Sequence, residues 1–412
     1  MAKIVDLFAR EILDSRGNPT VECEMLVEGN IKVCASVPSG ASTGSKEALE
    51  LRDKQERYNG LGVLKAVKII NEYLKPQLVG MEVNQFEIDK KLLQLDGTAN
   101  KSRLGANTIL AVSLCTLKAS AEISKKELYE YISKGQVSLP IPMMNILNGG
   151  KHADNNLDIQ EFMIVPVVQT FKERVRCGSE IFHTLKNILK EQNLATGVGD
   201  EGGFAPDLAY NSLALDYIVD AITKAGYVPG KDVFIALDVA ASELYQDGKY
   251  KIDNQLLTSD QLIEYYKNLL KKYPILSIED PFHESDFDTL AKFTQEVGNK
   301  IMIVGDDYFV TNRKYLKEGI DKKAANAILL KPNQIGTILE MYQTIDLALS
   351  NKYRMVLSHR SGETTDTYLA DLAVGLNIPF IKTGSLSRGE RVAKYNRLMK
   401  IEEDLIKKQI KK

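Results

Sequence analysis

The chain is poor in the residues that build soft metal sites and covalent cross-links, with four cysteines and four histidines in 412 residues. Cys23, Cys34, Cys115 and Cys177 show no paired metal spacing and no disulfide framework, which suits a reducing compartment. Charge of one sign is also lacking. Lys+Arg number 53 and Asp+Glu 55, for a net charge of −2, so the basic footprint of a DNA-binding protein is absent. No apolar run reaches the ~18 residues that would predict a membrane span. The opening MAKIVDLFAR has an early acid and no apolar core, so it does not read as a signal peptide. These absences predict a cytoplasmic protein without membrane insertion. The 44% of apolar residues suffices for a large core and about two domains.

One phrase recurs from 233 to 384: a short apolar run, a charged residue, then a helical-looking segment. The runs 233–237, 275–278 and 301–305 end in Asp238, Glu279 and Asp306. The runs 327–330, 355–358 and 380–381 end in Lys331, His359 and Lys382. Short apolar runs alternating with helices read as buried parallel strands. In a closed β/α barrel all such tips face one mouth. A charged residue after one run often marks only the first contact with solvent; six in register predict a shared site.

Upstream, strands are expected at 4–10, 20–27 and 31–36, the last two joined as a hairpin at Glu28-Gly29-Asn30. PSGASTG (38–44) lacks the glycine spacing of a P-loop and reads as a flexible surface loop or a lid. Helical patterns cover 63–74, with Pro76 and Gly80 as stop signals beyond it, then 84–95, and 106–117, which is apolar nearly all round. Residues 1–130 thus form an α+β domain, and 135–142 reads as a linker to a second domain at 140–412. That domain opens irregularly. The runs 143–147 and 162–165 are strand-like, but the polar segment between them cannot hold a crossover helix, so they are read as an antiparallel pair. Helical patterns at 170–193 and 211–225 follow, giving a barrel of ββαα(βα)6 order in an α/β chain. Gly197–Gly202 matches G-x-G-x-x-G in letters, but it follows a helix and holds two acids where a pyrophosphate would lie. It reads instead as a loop presenting Glu201, or as plain solvent loop.

Asp238, Glu279 and Asp306, with no cysteine nearby, form a hard-oxygen set that suits magnesium over zinc. His152 and His359 each read as a core or surface residue on their own. His359 is followed by Arg360 and Ser361 at a strand tip, a combination that suits a phosphate. Lys331 and Lys382, on nearby tips beside divalent cations, are expected to repel each other's charge and depress one pKa, leaving an amine able to take a proton α to a carboxylate; the alternative is two lysines that merely pair the carboxylates.

The strings LDSRGNPTVE (13–22), VPSGASTG (37–44), MMNILNGGKHADNNLDIQEFMI (143–164), GDEGGFAP (199–206), SIEDPF (277–282), VGDD (304–307), NQIGT (333–337), SHRSGET (358–364) and IKTG (381–384) resemble the enolases, phosphopyruvate hydratases, of bacterial type from end to end. A lysine base beside magnesium is that superfamily's known arrangement. The resemblance implies reversible dehydration of 2-phospho-D-glycerate to phosphoenolpyruvate, in glycolysis and gluconeogenesis. Lys331 would be the base and Glu201 the acid. Glu161 would assist at the leaving hydroxyl, and His152 and Gln160 would line that wall. Asp238, Glu279 and Asp306 would hold one of two Mg2+ ions, and Ser42 of the loop would help to hold the second. Lys382 would neutralise the substrate carboxylate, with His359, Arg360 and Ser361 beside the phosphate. The resemblance also implies a homodimer or homo-octamer. Departures from the pattern are Pro332 where valine is common, Tyr308 for leucine, and Thr108 and Thr196. A competing reading is a non-catalytic structural or surface-binding protein on the same fold, with surface or RNA-assembly partners and display outside the cell without a signal peptide. Another is a racemase or cycloisomerase, against which the loop and phosphate strings argue.

Overall fold

The computed structural model of the chain describes residues 2–41 and 43–410, apart from the side chain of Gln409. Ser42 and the last two lysines of the C-terminal KKQIKK lie outside the described residues.

Strands β1 (Ile4–Leu13), β2 (Pro19–Val27) and β3 (Ile31–Ser36) form one antiparallel sheet in chain order. Alternation along β2 buries Val21, Cys23, Met25 and Val27, and the sheet packs against the helix Ala106–Ile123. That helix is buried almost all round. Two of its hydroxyls return to the helix backbone: Thr116 Oγ1 donates to the Val112 carbonyl at 2.9 Å and Ser120 Oγ to that of Thr116 at 2.8 Å. The segment expected to stop at Pro76 continues as Leu64–Lys68, a π-turn Ile69–Leu74, and Lys75–Leu78. Proline lacks an N–H and its ring clashes with the carbonyl four residues back. The wider turn relieves this, and the Lys75 N–H reaches back to the Ile70 carbonyl.

The barrel strands are β4 (Ile141–Asn148), β5 (Glu161–Pro166) and β6 (Val233–Asp238). A small sheet of β7 (Tyr245–Gln246), β8 (Lys249–Ile252) and β9 (Gln255–Leu257) follows, unforeseen in the sequence reading. Then come β10 (Ile275–Glu279), β11 (Met302–Gly305), β12 (Ala327–Leu330), β13 (Arg354–Ser358) and β14 (Phe380–Lys382). They close in the order β10-β11-β12-β13-β14-β4-β5-β6. β5 is antiparallel to both neighbours and the remaining pairs are parallel, so the order is ββαα(βα)6 as expected. Among the described residues no helix is long and apolar enough to cross a membrane.

The inside of the barrel holds Met143, Met163, Val165, Ala236, Met302, Val304, Ala327, Leu329, Val356 and Phe380 as one apolar cluster. Side chains alternate in and out along a strand. Two residues beyond Ala236, Val304, Leu329 and Phe380 stand Asp238, Asp306, Lys331 and Lys382, so each faces inward. β10 reaches the same phase through a register irregularity between Ile275 and Ser277. β5 runs the other way, so its first residue, Glu161, stands at the mouth.

The helix Gln85–Asp96 meets the barrel through Asp89, which is fully buried. Asp89 Oδ2 accepts from Gln85 Nε2 and from the Leu339 N–H, each at 2.9 Å. Burial pushes this carboxyl up to about 6. The folded protein therefore keeps this proton to a higher pH than the unfolded chain. The linked stability is present below about pH 4 and is lost as pH rises to about 6. In urea denaturation, the stability of Asp89→Asn relative to wild type should rise by about 2–3 kcal/mol between pH 4 and 7; a flat difference would mean that Asp89 titrates normally.

Candidate active site

Glu161, Asp238 and Glu279 are register partners across β5, β6 and β10, and all are buried. Three carboxylates side by side in an apolar barrel need a counter-charge. Lys382 supplies it from across the mouth: its Nζ lies 3.1 Å from Glu161 Oε1, 2.8 Å from Asp238 Oδ2 and 3.0 Å from Glu279 Oε1. Lys331 Nζ pairs with Asp306. The expected depression of one lysine pKa is not found among the protein's own groups. Burial works to lower both, but Asp306 raises Lys331, and Asp238, Glu161 and Glu279 raise Lys382 well above the usual lysine range. The carboxylates are in contact with the ammonium groups, so their attraction exceeds the repulsion between the lysines.

The Lys331 side chain closes on its own backbone through a ring of hydrogen bonds. The Lys331 N–H donates to Thr311 Oγ1 at 2.8 Å, and Thr311 Oγ1 donates to Gln334 Oε1 at 2.8 Å. Gln334 Nε2 donates to Asp306 Oδ1 at 2.8 Å, and Asp306 Oδ2 accepts from Lys331 Nζ. Pro332 opens the short helix Pro332–Ile335, where its missing N–H costs nothing. It also restricts Lys331 to extended backbone, observed at φ −129° and ψ 107°.

Glu201 is buried, not on a solvent loop. Its loop is tied down at Gly202, where φ is +88° and an added Cβ would lie 2.6 Å from the Ser387 carbonyl oxygen. Asn145 Nδ2 donates to Glu201 Oε2 at 3.0 Å. His152 Nδ1 sits between two acids, 3.6 Å from Glu161 Oε1 and 3.5 Å from Glu201 Oε1. Burial, then the negative charge of Glu201, pushes Glu161 well above the usual carboxylate range. His359 Nε2 faces Glu201 Oε2 at 3.2 Å.

The loop at 38–44 straps itself to the tip of β13. Ser39 and Gly362 exchange backbone hydrogen bonds of 2.7 and 2.8 Å, and the Ala41 N–H donates to Ser361 Oγ at 2.7 Å. At Gly40 an added Cβ would fall 1.9 Å from Arg360 Nη2, so only glycine lets the loop pass over this guanidinium. Glu47 grips Arg360 with both oxygens, at 2.9 and 3.1 Å. A cavity of about 270 Å3 opens here, lined by Thr43, Glu47, Glu50 and Arg360 among others.

One small cavity, about 10 Å3, is lined by His152, Gln160, Glu161, Glu201, Asp238, Lys331, His359, Arg360, Ser361 and Lys382. It has room for roughly one water, so a larger ligand enters only by exchanging with these ion pairs. Of the residues named from sequence, only Ser42 cannot be placed. The proposed metal ligands are not one tight group: Asp238 and Glu279 meet on Lys382, while Asp306 turns to Lys331. Among the described residues, the side chains close enough to share an ion are His152, Glu161 and Glu201, and separately Asp280, Asp306 and Asp307. These acidic clusters could hold a metal.

Sequence reasoning missed several neighbours. Asp280, at φ 43°, accepts from the N–H groups of Asp306 and Asp307, each at 2.8 Å, and so aims the β11 tip. Its signal was the doubled acid of SIEDPF, where one charge per tip was counted. Gln334 lay inside the NQIGT string without being singled out, and Thr311, Glu47 and Arg391 carried no signal beyond lying near a motif.

The chain is a closed eight-stranded barrel with an N-terminal α+β sheet, and its acids, lysines and histidines gather at the mouth where barrel enzymes build their active sites. Two family models match, "Enolase, N-terminal domain" over residues 4–132 and "Enolase, C-terminal TIM barrel domain" over residues 136–411. The chain belongs to the enolase family.

Thr311→Val would leave the buried Lys331 N–H without an acceptor. It should cost about 1–3 kcal/mol in urea denaturation, and Thr311→Ser should recover most of the loss.

Proposed function

We propose that the protein catalyses the reversible dehydration of 2-phospho-D-glycerate to phosphoenolpyruvate, with Mg2+. The observation that supports this most is that Lys331, Glu201, Lys382 and Arg360 line a single cavity. A base, a second proton carrier, a carboxylate partner and a phosphate partner then surround one small molecule.

The donor set fits a hard cation. Asp238, Glu279 and Asp306 offer carboxylate oxygens, and Gln160 Oε1 and Glu161 Oε2 are buried with no hydrogen-bond partner among the described residues. We assign Asp238, Glu279 and Asp306 to one Mg2+ and Ser42 to a second. When bound, such cations supply positive charge for the substrate carboxylate as its α-proton leaves.

The protein's own groups do the rest. Lys331 removes the C2 proton, which requires Asp306 to turn away from it and the ammonium to lose its proton. Lys382 stays charged and neutralises the substrate carboxylate. Arg360 exchanges Glu47 for the phosphate, with Ser361 beside it. Glu201 donates to the departing C3 hydroxyl. Glu201 must carry a proton for this step, and His152 stands between it and Glu161, within reach of both. In the reverse direction ionised Glu201 takes a proton from the entering water.

Ultraviolet absorbance should rise when 2-phosphoglycerate and Mg2+ are added to the protein. Lys331→Ala should lower the rate by about 10³-fold, and a chelator should abolish it. A flat trace from folded, metal-loaded protein would favour the non-catalytic reading. Proton exchange on a non-phosphorylated acid alone would favour a racemase.

A further inference from the structure

Arg391 is among the largest side chains buried completely in the protein. It lies in the helix Gly389–Ile410, behind His359 as seen from the cavity. Nη1 donates to His359 Nδ1 at 2.5 Å and to the Arg360 carbonyl at 2.6 Å. Nη2 donates to the carbonyls of Ser361 at 2.6 Å and Asp200 at 3.1 Å. Nε donates to Glu390 Oε1 at 3.1 Å. All five donors are used, so the guanidinium has one fixed pose.

A guanidinium has donors only and keeps its proton in proteins. A ring nitrogen facing it must offer a lone pair, so Nδ1 of His359 is bare. The proton of the neutral ring is then on Nε2. That atom faces the cavity, 3.2 Å from Glu201 Oε2, and has no in-line hydrogen-bond partner among the described residues. We propose that Arg391 is a positioning residue that fixes His359 in the Nε2–H tautomer. It thereby keeps an N–H, not a lone pair, aimed at Glu201 and at the hydroxyl that leaves or enters beside it. Burial, opposed by Glu201 and helped by Arg391, holds the His359 pKa down at about 4, in keeping with a neutral ring. Arg391 also grips the carbonyl of Asp200, next to Glu201, so one side chain orients both members of the pair. The role in turnover rests on the function proposed above; the tautomer does not.

Nuclear magnetic resonance of protein labelled with 15N-histidine reads the tautomer directly. The chain has four histidines, and His359→Gln identifies the resonances of interest. At pH 7, His359 should show a protonated Nε2 and a bare Nδ1. A protonated Nδ1, alone or with Nε2, would overturn the proposal, and this result needs no turnover; with His359→Gln used only for assignment, the tautomer itself is read in wild type. With 2-phosphoglycerate, Arg391→Gln should lower kcat by about 10²-fold with KM little changed. In the His359→Gln background, where no tautomer exists, the same substitution should cost far less; fully additive losses would make Arg391 merely structural. If wild type shows the expected tautomer but no turnover, the function fails and the tautomer assignment stands.

Discussion

The buried ammonium of Lys382 is the interaction on which the barrel mouth depends. Glu161, Asp238 and Glu279 are brought side by side by strand register alone, with no freedom to separate. Their mutual repulsion is severe at low dielectric. A cation at about 3 Å from all three turns that repulsion into attraction. The second lysine answers Asp306 in the same way. The site is thus a set of interlocked opposite charges, with more carboxylates than ammonium groups, before any ligand arrives. A ligand carrying both positive metal and negative oxyanions can exchange with each half of it.

The mouth is also where the backbone leaves its ordinary regions. Ala240, Asp280, Val310 and Thr311, all just past barrel strands, have positive φ of 47°, 43°, 40° and 56°. Such conformations are costly for residues with a Cβ, above all branched ones. They persist because the surroundings fix them: Asp280 is bonded to two following amides, and Thr311 sits in the ring that holds Lys331. Turns this tight let consecutive residues point into one small volume.

Much of this was legible in the sequence. The apolar runs and their charged tips placed six strands, because buried parallel strands have few other ways to be written. The polar link between 147 and 162 revealed the antiparallel β4–β5 pair. Other features were present but passed over. The β7–β9 sheet is announced by Asp247-Gly248 and Asp253-Asn254, all at positive φ as hairpin turns require. Pro76 was read as a stop because local rules do not show that a π-turn can absorb it. Arg391 was invisible because nothing in a helical segment announces which residue will face another strand's histidine. The lysine pKa argument rested on bound divalent cations; among the protein's own groups the alternative reading, lysines pairing the carboxylates, is what the distances show.

The glycine at 40 and the acid at 47 come from the N-terminal part of the chain, whereas Arg360 belongs to the barrel. Arg360 is buried, and Glu47 is its bidentate partner. A barrel separated from that loop would lose the bidentate carboxylate of Glu47 from Arg360, the largest of the charges that favour this buried cation. The two parts must therefore be inherited as a matched pair. A barrel joined to a foreign N-terminal sheet would keep its strands and lose the carboxylate that neutralises Arg360.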